Sequence, residues 1–161
     1  EEYAKEWLEG VKSNLARKPE GNDRAQVKAI WAGECDIAIG NTYYMGKMLS
    51  NDEQKAWANS VNVVFPTFEN SGTHVNVSGM ALTKYAPNKE AAIALMEFLA
   101  SPKAQEIYAA TNFEYPIAPG TQADPLVQSW GSFVADDLNL MDVAAERPAA
   151  LKLIEEIDFD S

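Results

Sequence analysis

Apolar residues near the start of the chain fall on one helical stripe, with Tyr3, Trp7, Leu8, Val11 and Leu15 recurring at three- and four-residue intervals. That spacing stacks side chains on one face of an α-helix and predicts a helix over roughly 2–16. Lys18-Pro19-Glu20-Gly21-Asn22 follows as a turn. Asn22 or Asp23 can cap a second, short helix with Val27, Ile30 and Trp31 on one face, and Gly33 ends it. The pattern then changes to a short apolar run, Cys35-Asp36-Ile37-Ala38-Ile39, which predicts a buried strand with Cys35 as a small core residue. After Gly40-Asn41-Thr42, helical spacing resumes with Tyr44, Met48 and Leu49. A further helix is expected from Asn51 through Trp57, and a strand from Val61 to Phe65.

The stretch Pro66 to Thr73 is polar and contains glycine, so a loop is expected before a long strand from Val75 to Leu82. Pro87-Asn88 opens a helix whose stripe is Ala92, Leu95, Met96 and Leu99. Ser101-Pro102 opens the next, with a capping hydroxyl followed by proline in the first turn, and that helix carries Ile107 and Tyr108. Asn112 to Pro125 holds Pro116, Pro119, Gly120 and Pro125, an irregular surface connection, and two last helices are expected at about 126–136 and 142–156. Helices alternating with apolar strands place the chain in the α/β class.

Composition narrows what such a chain can do. Its 161 residues suit one domain or a large piece of one. Thirteen Lys and Arg against twenty-four Asp and Glu leave a net charge of −11, which argues against a nucleic-acid partner, since phosphate surfaces need clustered basic side chains. One cysteine excludes an internal disulfide framework and any multi-cysteine zinc site. The opening Glu-Glu-Tyr-Ala-Lys-Glu-Trp has neither the basic start nor the apolar run of a signal peptide, so any export signal is expected outside this sequence.

The most informative local feature is Gly40-Asn41-Thr42-Tyr43-Tyr44, directly after an expected strand and at the start of a helix. Ligands of open α/β sheets gather at such carboxyl ends of strands. Two neighbouring phenols suit a hard, highly charged cation such as Fe³⁺, because a phenolate is a hard anionic oxygen donor. With an ordinary tyrosine pKa of about 10, the ion itself must drive off both protons. In mid-strand, residues i and i+1 point to opposite faces, whereas at a loop-to-helix junction both rings can converge. The ordinary alternative is one core tyrosine beside one surface tyrosine. Asn41, Thr42, Asn22 and the first N–H groups of the helix offer donors for a small anion, although helix capping also explains them, and Arg24 either neutralises that anion or forms a surface ion pair. The lone His74 has no nucleophile-elbow serine near it, and Asp136-Asp137 and Glu155-Glu156 read as solvated helix faces. Trp7, Trp31, Trp57 and Trp130 sit on helical stripes and are expected to pack.

Gly21-Asn22-Asp23-Arg24, the run from Ala32 to Tyr44 and Thr73-His74-Val75-Asn76-Val77-Ser78-Gly79 resemble periplasmic ferric-ion-binding proteins, the substrate-binding components of bacterial iron(III) ABC transporters. Ala91 to Gln105 is similar to a signature shared more widely among extracellular solute-binding proteins, and Asn112-Phe113-Glu114-Tyr115-Pro116 again resembles the iron branch. The resemblance implies a lobe of the periplasmic binding protein type II kind, incomplete because the N-terminal half of the usual protein is absent. It implies a non-catalytic periplasmic protein that closes over Fe³⁺ and passes it to an inner-membrane ABC permease. Tyr43 and Tyr44 fall on its metal-ligand positions, and Asn41 and Asn22 near those that hold a synergistic anion, phosphate or carbonate. Residues 1–72 are then expected in the C-terminal lobe, 73–120 as the crossover returning toward the N-terminal lobe, with His74 structural, and 121–161 as terminal helices of the C-terminal lobe. Surface left uncovered by the absent half favours a homodimer. The competing reading keeps the solute-binding architecture but gives it an organic ligand or oxyanion in place of iron.

Overall fold

The computed structural model describes residues 2–67 and 72–160. Its elements in chain order are α1 (Glu2–Ser13), α2 (Asp23–Trp31), α3 (Tyr43–Leu49), α4 (Lys55–Ala58), α5 (Lys89–Leu99), α6 (Pro102–Asn112), α7 (Pro125–Ser129) and α8 (Leu140–Glu156). Side-chain caps set several starts. Asn22 Oδ1 accepts the N–H groups of Arg24 and Ala25 at 3.1 and 3.3 Å, and Ser101 accepts that of Ala104 at 3.4 Å ahead of Pro102. Asn139 does the same for α8, accepting from Met141 at 2.9 Å.

Two helices stop earlier than their stripes suggest. In α1, Ser13 Oγ and Asn14 Nδ2 both donate to the Gly10 carbonyl at 2.8 Å, a local bond that competes with continuing the helix. The helix expected at 126–136 ends at Ser129, because Gly131 takes φ +102° and the chain leaves in an extended path. Asp136 therefore lies on that path rather than on a solvated helix face, with its side chain 7% exposed.

The three expected strands need correction. Residues 35–39, 61–65 and 75–82 lie outside the helices but form no ladder; the pairing among the described residues is one isolated parallel bridge, Thr73 with Ala135. A strand requires a neighbour as well as β-favouring residues. Ile37 and Ile39, at 85% and 87% exposure, show that none of the described residues covers this stretch. Cys35 is accordingly half-buried rather than a core residue. Positions 68–71 of the loop expected from Pro66 to Thr73 fall outside the described residues.

The core sits where α2, α3 and α4 meet. Met48 is fully buried, Met45 and Ala58 are nearly so, and Val27, Tyr44, Leu49, Trp57, Val61, Val63 and Trp130 pack around them. Trp57 also lies 6.5 Å from Trp31 between ring centroids, with Lys28 Nζ 5.2 Å from its own. Trp7 and Trp31 remain about half exposed, so the expectation that all four tryptophans pack holds for Trp57 and Trp130 only. A second group of rings, Phe65 against Phe133 at 4.8 Å and Tyr115 edge-on to Phe133 at 5.2 Å, joins three non-helical segments.

Long-range polar contacts tie the ends together. Lys12 Nζ donates to the Ile157 carbonyl at 3.0 Å and to that of Asp158, so a cation from α1 sits at the C-terminal carbonyls of α8, where the helix dipole favours it. At the bridge, Thr73 N–H donates to Val134 O at 2.8 Å and Asp136 N–H to Thr73 O at 2.9 Å. His74 Nδ1 lies 3.0 Å from Asp136 Oδ2.

Candidate metal centre

Tyr43 and Tyr44 are the first residues of α3. Consecutive residues on a helix point about 100° apart, yet here the two rings lie side by side, with centroids 4.4 Å apart and planes inclined by 30°. The junction thus brings the two phenols together, as its position after Gly40-Asn41-Thr42 suggests. Both are partly buried, and Tyr44 leans on the α2–α3–α4 core.

The element carrying them is held from behind. Gly46 packs so closely on Phe113 that a Cβ there would lie 2.2 Å from the Phe113 ring carbon Cγ. Phe113 itself closes α6 in a left-handed conformation with φ +61°, which directs its side chain back to α3. Next along α3, Lys47 Nζ donates to Thr111 O at 2.7 Å and Asn112 Oδ1 at 3.1 Å, at the carbonyl end of α6.

Sequence reasoning missed two groups that act on this site. Asp23 Oδ1 accepts the Asn41 backbone N–H at 2.6 Å and the Asn41 side-chain amide at 3.2 Å. Glu114, on the non-helical segment after α6, accepts the Ser78 hydroxyl at 2.8 Å. The negative charges of both carboxylates reach Tyr43. The Tyr43 phenol is pushed up to about 12, chiefly by its hydrogen bond with the Tyr44 hydroxyl, then by burial, then by the charges of Tyr44, Asp23 and Glu114. Asp23 stands eighteen positions before Asn41, a separation with no local signature; its place beside Asn22 suggested only a helix cap.

Of the residues expected to meet an anion, Asn22 uses its carbonyl oxygen as the α2 cap, and Asn41 directs both of these N–H groups to Asp23. Within the first turn of α3, Tyr44 N–H bonds back to Asn41 O and Met45 N–H to Thr42 O, so these donors are also engaged. Arg24 makes no ion pair with a described residue. Its guanidinium carbon lies 5.4 Å from the Tyr44 ring centroid, and its Nε is buried without a hydrogen-bond partner. His74 is engaged with Asp136 at the bridge. Among the described residues there is no cluster of three or more His, Cys, Asp or Glu able to hold a metal, so the hard donors on offer at this junction are the two phenols and their neighbouring carboxylates.

The chain is 44% identical over 158 residues to iron uptake protein A1 of Synechocystis, covering 97% of this chain and 44% of that protein. In three dimensions it is similar to apo ferric ion-binding protein A of Pasteurella haemolytica, with a TM-score of 0.96, 49% identity, and 99% of this chain matched to 50% of that one. It is also similar to a Trichodesmium protein solved with iron and citrate ligands, at a TM-score of 0.91 and 40% identity, covering 98% of this chain and 51% of the other. The chain therefore spans about half the length of the relatives it matches, and its fold is that part of theirs, an α/β periplasmic-binding-protein lobe in incomplete form. The family model for bacterial extracellular solute-binding proteins matches residues 3–106, and the chain belongs to that family.

Proposed function

We propose that this chain binds ferric iron, with the phenolates of Tyr43 and Tyr44 as ligands, as part of a two-lobed periplasmic protein that delivers the ion to an ABC permease. The observation that carries the proposal is the convergence of the two rings at 4.4 Å on the first turn of α3. The iron named for the Synechocystis and Trichodesmium relatives supports it. Two phenolates leave much of the coordination sphere to donors from outside these residues. The role in this reading is binding without turnover, as befits a member of the solute-binding family.

In the same reading, residues 1–72 and 121–161 belong to one lobe and 73–120 return toward the other. The Lys12 contacts with the end of α8 support the first grouping, and the Thr73–Ala135 bridge marks where two chain passages run together. The exposed extended stretch around Ile37 and Ile39 favours association with a second copy, and a monomer in light scattering at high concentration rejects that part.

A ferric citrate titration followed by visible absorption tests the metal site. A tyrosinate-to-iron charge-transfer band is expected, and it should vanish in the Tyr43→Phe/Tyr44→Phe double variant. A band that survives in the double variant places iron elsewhere and overturns the assignment.

A further inference from the structure

Tyr43 and Tyr44 open α3 together but lean on different supports. With about 100° between successive helical positions, Tyr43 lies between Gly46 and Lys47 when α3 is viewed along its axis, and Tyr44 lies between Lys47 and Met48. Met48 is fully buried and the cluster around it includes Tyr44 but not Tyr43, so the core holds Tyr44. The side of α3 beneath Tyr43 meets α6 instead, at two anchors. Gly46 meets the Phe113 ring, where a Cβ would lie 2.2 Å from Cγ. Lys47 Nζ donates to Thr111 O at 2.7 Å and to Asn112 Oδ1 at 3.1 Å. Thr111 belongs to the last turn of α6, whose carbonyls lack partners within the helix and whose dipole favours a cation. One anchor would leave α3 free to roll about its axis, whereas two on adjacent residues, about 100° apart, stop the roll. Lys47 stands four positions after Tyr43, one turn along the same face.

We propose that Lys47 is a positioning residue for the metal site: by fastening α3 to the carbonyl end of α6 it fixes the roll of that helix and so sets the Tyr43 phenol beside the Tyr44 phenol. This rests on the tyrosine pair being the metal site. A role through charge alone would have the opposite sign. A cation on the ligand-bearing helix repels Fe³⁺, so its loss would tighten binding. Loss of the anchor weakens binding, because donors shared by one ion must be held to within about 0.5 Å. The direction of the change therefore decides between the two.

The test begins without iron. The ring-to-ring nuclear Overhauser cross-peak of Tyr43 and Tyr44 is compared in the unaltered 161-residue chain, Lys47→Met and Lys47→Arg. Rings with centroids 4.4 Å apart give a strong cross-peak in the unaltered chain, and its absence there overturns the proposal. It should fall by about half or more in Lys47→Met and recover in part in Lys47→Arg, which keeps a cationic donor of different shape. An undiminished cross-peak in Lys47→Met overturns the proposal. Ferric citrate is then titrated into the same chains. Lys47→Met should bind iron about tenfold more weakly, with its tyrosinate band displaced, and Lys47→Arg should restore part of both. Unchanged or tighter binding in Lys47→Met overturns the proposal. Lys152→Met removes the same charge from an exposed pair with Glu156 on α8, and equal weakening there would assign the effect to net charge and overturn it too. Should Lys47→Met lose its amide dispersion, Asn112→Ala, which withdraws one of the two acceptors, is read in the same way, and the unaltered chain remains a test by itself. No band in any chain rejects iron at the tyrosine pair, while the cross-peaks still decide the place of Lys47.

Discussion

Tyr43 is the residue on which the chemistry of this site turns, because its proton is held more tightly than that of an ordinary phenol. The Tyr44 hydroxyl, burial and the charges around it hold the phenol at about 12, against an ordinary 10.0. In the empty chain it is therefore neutral at all physiological pH values, and a bound cation has to displace the proton. Iron binding should release about two protons per ion, one from each phenol, measurable in a pH-stat; release of none would exclude phenolate ligation. Alkaline titration of tyrosine absorbance should show one group near 12, brought back toward 10.0 by Tyr44→Phe. The sign for stability follows from the raised value. The folded chain keeps its proton more tightly than the unfolded one, so this contribution is complete below pH 10.0 and is lost as pH rises toward about 12. Base denaturation of Tyr44→Phe should then depend less steeply on pH across that interval. The tyrosine pair could be read directly from the order of residues, since adjacency and a preceding Gly-Asn-Thr are local facts. Asp23 and Glu114 could not, because each reaches the site through the fold rather than through neighbours in sequence.

At the scale of elements, α3 is placed by its contact with α6. Gly46→Ala would drive a methyl group into Phe113 at 2.2 Å, and only separation of the two helices relieves it. A loss of about 1–3 kcal/mol is expected in denaturant unfolding, the usual range for overpacking, and an unchanged midpoint would show that α6 does not support α3. Helix starts were legible wherever a cap lay beside a periodic stripe, as at Asn22 and Ser101. Helix ends were less so, since α1 stops through side-chain bonds to Gly10 that compete with a stripe continuing to Leu15. Strands were legible as β-favouring segments but not as paired ones. The apolar run at 35–39 states a preference, whereas a ladder needs a second segment that the local pattern does not name.

For the whole molecule, this difference sets how stability is distributed. Among the described residues, backbone amides 36–40 and 62–65 donate no backbone hydrogen bonds, whereas those within α3 lie beside fully buried Met48. Hydrogen exchange should split the chain accordingly, fast in the two extended stretches and slow in α3. Equal protection in both would mean that the extended stretches are paired in solution, as a second copy would pair them. The bridge at Thr73 and Ala135 has a different consequence. Two passages of the chain, sixty-two positions apart, are fastened at one rung by two backbone hydrogen bonds and flanked by the His74–Asp136 contact. A single rung resists sliding of one passage along the other yet offers little resistance to twist. Without that rung the intervening stretch would still be held through α6 against α3 and through Trp130 against the core, so the bridge fixes the register of the two passages rather than their attachment.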